Sequence, residues 1–349
     1  MTIRLAFIGA GVMNQLVHIP NFMSISDCEV VALCELREKL GRAVAAMYHI
    51  PRYYKSHLDI IDVKDIDACV VAVADELHAP IVLDLLKSGK DVFVEKPIAT
   101  NSDDAREMVK CAEKNNRILM VGYMKRYDPG CRYAKDLVSK FLQEGSLGKV
   151  IYARVHCYGG DWTGGLIETS RLVTTDEPKP KVKPRPPKWL DLSEYCRYRA
   201  FLDVFCHDVN LMRWFLGEPE KIICSSFCDD MHNSIISYGD FSVGFETGFI
   251  KAHFWDEELK IYFEKGWIEV KPPPPLLRNT PSLVEVYSSS ERTFKRYYGD
   301  WRWAFREEAE HFIKCVKEDR EPLTSSRDAL RDIELIENLY RRFLEAKQE

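Results

Sequence analysis

The 349-residue chain has no long apolar run, no excess of positive charge and no cysteine framework. Each absence removes a class of protein. No stretch approaches the roughly 18 consecutive apolar residues that would suggest a membrane-spanning helix. Lys and Arg number 49 against 54 Asp and Glu, a formal net charge of -5. Nothing in that balance draws the chain to nucleic acid or to an anionic membrane. The eleven cysteines, an odd number, fall at no regular spacing, which predicts reduced thiols and a cytoplasmic protein. The opening residues Met1-Thr2-Ile3-Arg4-Leu5-Ala6-Phe7 lack the long apolar core of a signal peptide and read as a strand. Cys224, Cys228 and His232 come nearest to a metal-ligand spacing, but strand cysteines of a reduced protein explain them more simply, and no metal is expected.

What is present is a rhythm of strands and helices over the first third of the chain. A buried strand at 3–8 runs into Gly9-Ala10-Gly11-Val12-Met13-Asn14 and a helical pattern. The first glycine permits a tight turn. The second lets a pyrophosphate approach the backbone, where a helix N-terminus offers N–H groups. The third position of this pattern usually holds Gly or Ala for close packing, and Asn14 departs from it. A second strand, 28–34, ends at Glu35, 24 residues beyond Gly11, near the spacing at which a carboxylate accepts from an adenine-ribose 2′-hydroxyl. A carboxylate there repels a 2′-phosphate, so NAD is favoured over NADP, with Arg37 beside it softening the preference. Helices at 37–48, from the Asp75–Pro80 segment to 87, and from 102 or 103 to 115 alternate with strands at 67–74, 90–94 and 118–121. A short helix at 56–61 follows a link at Tyr53-Tyr54. This alternation predicts a doubly wound parallel sheet.

The strand at 90–94 ends in Glu95-Lys96-Pro97. Proline fixes its own φ and biases Lys96 to an extended backbone, so the lysine is held at the strand end where open α/β sheets bind ligands. The rhythm changes near Tyr123. A crossing helix at 131–144 leads to period-two alternation from 150, with His156 and Tyr152 on one face and Ala153 and Val155 on the other. Further strands at 221–227, 234–238, 242–254, 259–264 and 267–271 predict a mostly antiparallel sheet. Two helical patterns, 301–319 and 326–346, close the chain, and either can return to the first domain. The expected division is 1–122, a dinucleotide-binding domain, and 123–349, an α+β domain for substrate binding and association. A helix at 193–216, stopped by Gly217, buries Phe201, Phe205, Val209, Met212 and Leu216 and carries Asp203 and His207 four apart on one face, with Asn210 extending that polar line.

The Gly-x-Gly turn, the acid after the second strand, Leu77-His78, the run Gly89 to Pro97, and Gly122-Tyr123-Met124-Lys125-Arg126-Tyr127-Asp128-Pro129 together resemble the Gfo/Idh/MocA oxidoreductases, over essentially the whole chain. Ala74-Asp75 stands where that family commonly has Thr-Pro. The resemblance implies a Rossmann domain followed by an open antiparallel sheet, and hydride transfer between NAD(P) and a hydroxyl of a sugar, cyclic polyol or related compound. It implies Lys96, Asp203 and His207 as the catalytic set. It implies Gly9, Gly11, Val12, Met13, Glu35, Arg37, Ala74, His78, Glu95, Lys96 and Tyr123 around the cofactor. Arg126, His156 and Trp162 are candidates for the substrate side. A homodimer or homotetramer built through the second domain's sheet would be typical of the family. Two alternatives use the same residues: a redox-neutral enzyme that retains its nucleotide or cleaves a glycosidic bond, and a non-catalytic nucleotide sensor. Pro178-Lys179-Pro180-Lys181-Val182-Lys183-Pro184-Arg185-Pro186-Pro187 is an extended basic stretch. It reads as a solvated linker, or as a lid or subunit arm that meets an acidic substrate or a neighbouring protomer.

Overall fold

The computed structural model describes residues 2–347. Two compact units emerge, each assembled from three segments. The first comprises Met1–Tyr123, Ile167–Arg199 and Phe305–Ile333; the second comprises Met124–Leu166, Ala200–Ala304 and Glu334–Glu349. The change at 122/123 expected from the sequence therefore describes only the first crossing. The basic stretch and the helix at 301–319 belong to the dinucleotide-binding unit, because the contacts that hold them are made there.

In the first unit, strands β1 (Ile3–Ile8), β2 (Cys28–Cys34), β3 (Arg52–Tyr54), β4 (Ala68–Val71), β5 (Asp91–Glu95) and β6 (Leu119–Gly122) form one sheet in the order β3-β2-β1-β4-β5-β6. Every pairing is parallel. Tyr53-Tyr54, read from the sequence as a link, is part of the edge strand β3; three residues are too few to show a period. The connections include α1 (Ile19–Met23), α2 (Glu38–Met47), α3 (His78–Lys87) and α4 (Ser102–Asn115). Asn101 caps α4 by accepting from the Asp104 N–H at 2.8 Å. The unit's core is aromatic. Phe22 packs edge-on against Phe7, Phe93 and Phe312 at centroid distances of 5.8, 6.1 and 6.2 Å. Beyond β6, the Val121 N–H donates to the Thr324 carbonyl at 3.0 Å, so a returning segment covers the sheet edge.

The second unit is built on α5 (Pro129–Glu144), β7 (Val150–Gly159), the one-turn α6 (Leu166–Thr169, shared with the first unit), α7 (Tyr195–Leu216), and strands β8 (Lys221–Cys228), β9 (Met231–Ser237), β10 (Ser242–Phe249), β11 (Asp256–Phe263), β12 (Gly266–Lys271), β13 (Leu283–Ser288) and β14 (Thr293–Tyr297). The eight strands run β14-β13-β12-β11-β7-β10-β9-β8, antiparallel except for β7 beside β10. β13 and β14 extend the sheet past anything read from the sequence. The last helices are α8 (Ala304–Glu318), which lies in the first unit, and α9 (Ser326–Ala346), which passes from the first unit into the second. One face of the eight-stranded sheet carries a row of rings, Tyr152, Tyr262, Trp267, Tyr287 and Phe294, at matching register on five successive strands. The next row is charged, with Lys260 on Glu269 at 2.9 Å and Arg296 on Glu285.

Candidate active site

The turn after β1 meets the demands of a phosphate loop. Gly9 has φ +96, and a Cβ there would strike the Ala72 carbonyl oxygen, so no other residue fits. A Cβ on Gly11 would meet nothing within 4 Å, which leaves its backbone open to a ligand. Val12 and Met13 are half-buried beside it. Asn14, the departure at the third position, is wholly buried and turns its amide back to the strand, donating to the Ile8 and Gly9 carbonyls at 3.2 and 2.6 Å. The chain then runs as a π-helical turn over Asn14–His18. The wider turn and the side-chain tether replace the close packing that Gly or Ala would give.

Glu35 follows β2 as expected, but it is not a solvated acid. It is 7% exposed. One carboxylate oxygen accepts from the Ala10 N–H at 2.8 Å and the Arg37 guanidinium at 3.3 Å; the other accepts from the Arg37 N–H at 3.0 Å and Nε at 2.8 Å. Those contacts occupy the roughly four acceptor positions of a carboxylate.

The Glu-Lys-Pro segment is anchored from below. Glu95 is buried, accepts from the Lys96 N–H at 3.0 Å, and pairs with His18 Nε2 at 2.6 Å. Burial pushes the Glu95 carboxyl up, but the His18 contact and charge, with Lys96 behind them, outweigh it and hold the group below its usual range. Lys96 is the one residue from Asp91 to Asn101 that is not buried. The peptide between Lys96 and Pro97 is cis, and the Pro97 carbonyl lies 2.9 Å from His78 Nδ1. His78, expected beside the cofactor, is wholly buried and ties the segments that follow β4 and β5 to each other. Ala74 is half-buried at the start of the β4 segment, and Tyr123 is buried at the end of β6. The acid of the atypical Ala74-Asp75 pair is taken up by Arg199, whose Nη2 lies 3.0 Å from the Asp75 carboxylate.

In the second unit, α7 is buried along most of its length. Between Phe201 and Arg213, only Asp203, Val204 and His207 are half-open. The i, i+4 pair thus faces outward from a helix whose other faces are committed to packing. Phe205 meets Phe249 at 5.1 Å, and Phe201 meets Phe227 at 5.1 Å. Asn210 does not extend that open line. It is buried and accepts from Arg126 Nε at 2.7 Å. Arg126 is buried with it, under the ring of Trp214, so this substrate candidate is committed to holding the helix. His156 is buried in β7 with Nε2 3.1 Å from Asp256. Trp162 is 39% exposed, and its carbonyl accepts from the Leu276 N–H.

One group went unread in the sequence. Lys125 is buried with Nζ 2.6 Å from Glu257 and 4.0 Å from Asp208, the residue after His207. Trp255 Nε1 donates to the other Glu257 oxygen at 2.8 Å. Burial pushes the Asp208 carboxyl well above its usual range, the Glu257 charge adds to that, and Lys125 opposes it. The members come from three distant segments, so no spacing announces them. Cys157 joins Asp208 and Glu257 in the one group of metal-capable ligands among the described residues. The Lys125 ammonium already supplies the positive charge there. The other sequence candidate is divided: His232 is buried on the hydroxyls of Ser225 and Ser234, at 3.2 and 2.8 Å, while Cys224 and Cys228 are exposed. No helix among the described residues is long and apolar enough to cross a membrane.

The family model for oxidoreductases with an NAD-binding Rossmann fold, Gfo/Idh/MocA, matches residues 3–123. An inositol 2-dehydrogenase of Saccharopolyspora erythraea is 34% identical over 329 residues, covering 90% of this chain and 86% of the relative. The chain spans 57% of the length of the inositol 2-dehydrogenase of Salmonella typhimurium, which it also matches. Among solved structures, an aldose–aldose oxidoreductase of Caulobacter crescentus superposes with a TM-score of 0.77 at 20% identity, covering 99% of this chain and 98% of the other. A 3-ketoreductase of Actinomadura kijaniata, crystallised with NADP and TDP-benzene, gives 0.76 at 17% identity, covering 98% of each. These two likenesses speak to the fold, and the sequence relative decides the family. The chain belongs to the Gfo/Idh/MocA oxidoreductase family.

Proposed function

We propose that this chain is an NAD(P)-dependent dehydrogenase acting on a CH–OH group of a sugar, cyclic polyol or related compound. The observation that carries the reading is selective exposure. Lys96 is the half-open residue of an otherwise buried segment, and Asp203 and His207 are half-open on an otherwise buried helix. Polar groups held open on rigid, packed elements are what a reacting centre needs. The nicotinamide of the bound dinucleotide supplies the hydride chemistry. His207 takes the hydroxyl proton of the substrate, since imidazole ordinarily titrates near neutrality. Asp203, one turn earlier, orients His207 or holds a neighbouring hydroxyl. Lys96 donates to the same oxygen and stabilises the charge that develops there, an effect worth a few kcal/mol at sites of this kind. Glu95, fixed by His18, holds the Lys96 backbone.

The names of the relatives favour polyols and sugars as substrates. The row of rings on the second unit's sheet, with Tyr287 and Phe294 exposed, favours association of two or four copies through that face. The test is steady-state reduction of NAD and NADP with inositols and aldoses. Wild type turns over at least one of them. Lys96→Ala and His207→Ala lower kcat/KM by roughly 10² to 10⁴ while melting like wild type. Full activity in either variant sinks the assignment. Nucleotide reduction that never exceeds one equivalent of enzyme favours the redox-neutral alternative. Binding without any reduction favours the sensor.

A further inference from the structure

We propose that residues 173–199 form a strap that closes over the bound dinucleotide and holds it on the protein between turnovers. The proposal rests on the dinucleotide reading above and adds to it the control of cofactor exchange.

The stretch is not a solvated linker. It is tied to the first unit at four places. The Gln15 side chain pairs with the Val173 backbone, donating to its carbonyl at 3.1 Å and accepting from its N–H at 2.9 Å. Glu177 accepts from the Leu40 N–H at 3.1 Å, and Lys39 pairs with Asp176 at 3.0 Å. The Arg185 carbonyl accepts from Thr100 and Asn101 at 2.7 and 3.1 Å, while its guanidinium grips Asp104 with two bonds of 2.7 and 2.8 Å. Farther along, the Tyr195 hydroxyl donates to Glu76 at 3.1 Å, and Arg199 meets Asp75.

The positions of the anchors carry the argument. Gln15 follows β1, Lys39 and Leu40 follow β2, Asp75 and Glu76 follow β4, and Thr100 to Asp104 follow β5. Those strands are neighbours in the order β2-β1-β4-β5, and all run parallel. Every anchor therefore lies at the C-terminal edge of the sheet, where the strand order reverses and a dinucleotide binds. Right-handed crossovers put the helices after β1 and β2 on one face and those after β4 and β5 on the other. Between Glu177 and Arg185 the strap must cross that edge. At about 3.1 Å per residue, the eight steps of this proline-rich segment reach about 25 Å. Lys179, Lys181 and Lys183 lie in the crossing and are exposed, and among the described residues they enter no ion pair. The anchoring cations Lys39, Arg185 and Lys188 are all paired. The strap's uncompensated charge thus sits over the edge that receives a diphosphate. A dinucleotide enters or leaves when the anchors on one side let go.

The test uses the full chain as wild type, as Asp104→Ala with Glu177→Ala, and as Pro180→Gly with Pro184→Gly, which removes no hydrogen bond or ion pair of the anchors. Each protein is loaded with NADH or NADPH, mixed with excess oxidised nucleotide, and the loss of bound fluorescence is timed. Release at least 10-fold faster in both variants, with melting close to wild type, is the expected result. Equal release from all three proteins overturns the strap and leaves the dinucleotide reading standing. No binding of either nucleotide by any of the three overturns both.

Discussion

Glu308 on α8 is buried, and neither of its carboxylate oxygens has a hydrogen-bond partner. Burial, and then the nearby Glu95 charge, push its carboxyl well above the ordinary range. The unfolded side chain ionises near ~4.3, so the folded state retains a proton that the unfolded state loses. The stability this group contributes is present below that value and falls as pH rises toward the folded pKa. Glu308→Gln keeps the shape and removes the titration. It raises the melting temperature at pH 8 and leaves it unchanged at pH 4; a lower melting temperature at pH 8 means an ionised, partnered carboxylate. His232 has the opposite dependence. Burial lowers its imidazole to about 3, so the folded state stays neutral where the unfolded state takes a proton. That stability is complete above the unfolded value near ~6.5 and is lost by about 1.4 kcal/mol per pH unit below it. In urea titrations at pH 7 and pH 5, wild type loses about 2 kcal/mol more than His232→Gln. Equal losses mean that the ring is reached by solvent.

At the scale of elements, the turn after β1 and the helix α8 are predicted to fail in different ways. Gly9→Ala forces a side chain into a left-handed backbone and against the Ala72 carbonyl. The strain is about 1–3 kcal/mol before the clash is added. Because the turn is also the proposed phosphate loop, nucleotide binding is expected to be lost along with stability. Phe312→Ala removes a ring from the cluster with Phe22 and Phe93. It costs about 3–5 kcal/mol in denaturant unfolding. A nucleotide affinity within a few-fold of wild type, in the fraction that remains folded, separates this packing role from the loop's ligand role.

For the whole molecule, the exposed sheet face sets the expectation for assembly. Tyr287→Lys with Phe294→Lys places like charges on the row of rings and abolishes association in light scattering, with nucleotide binding unchanged. A wild-type chain that is monomeric at micromolar concentration refutes this face as the interface. Much of the molecule was legible beforehand because local patterns carry it. The β1 turn, the acid ending β2, α4, the span of α9 and the Gly217 stop of α7 each rest on residues adjacent in the chain. β3 was too short to show a period. Arg126 and His156 sat on polar-looking positions, and their burial followed from partners 84 and 100 residues away.

The sequence by itself determined the parallel dinucleotide-binding sheet and the family, since each is written in short motifs with a backbone or periodicity requirement, and it nominated Lys96, Asp203 and His207 for catalysis. The tertiary structure alone decided that Glu35 is closed by Arg37, that Lys125 fills the carboxylate group behind His207, and that the segment holding the basic proline-rich stretch is anchored to the first unit. Those outcomes depend on which distant segments meet, and a charge run reads the same in sequence whether it faces water or a binding edge.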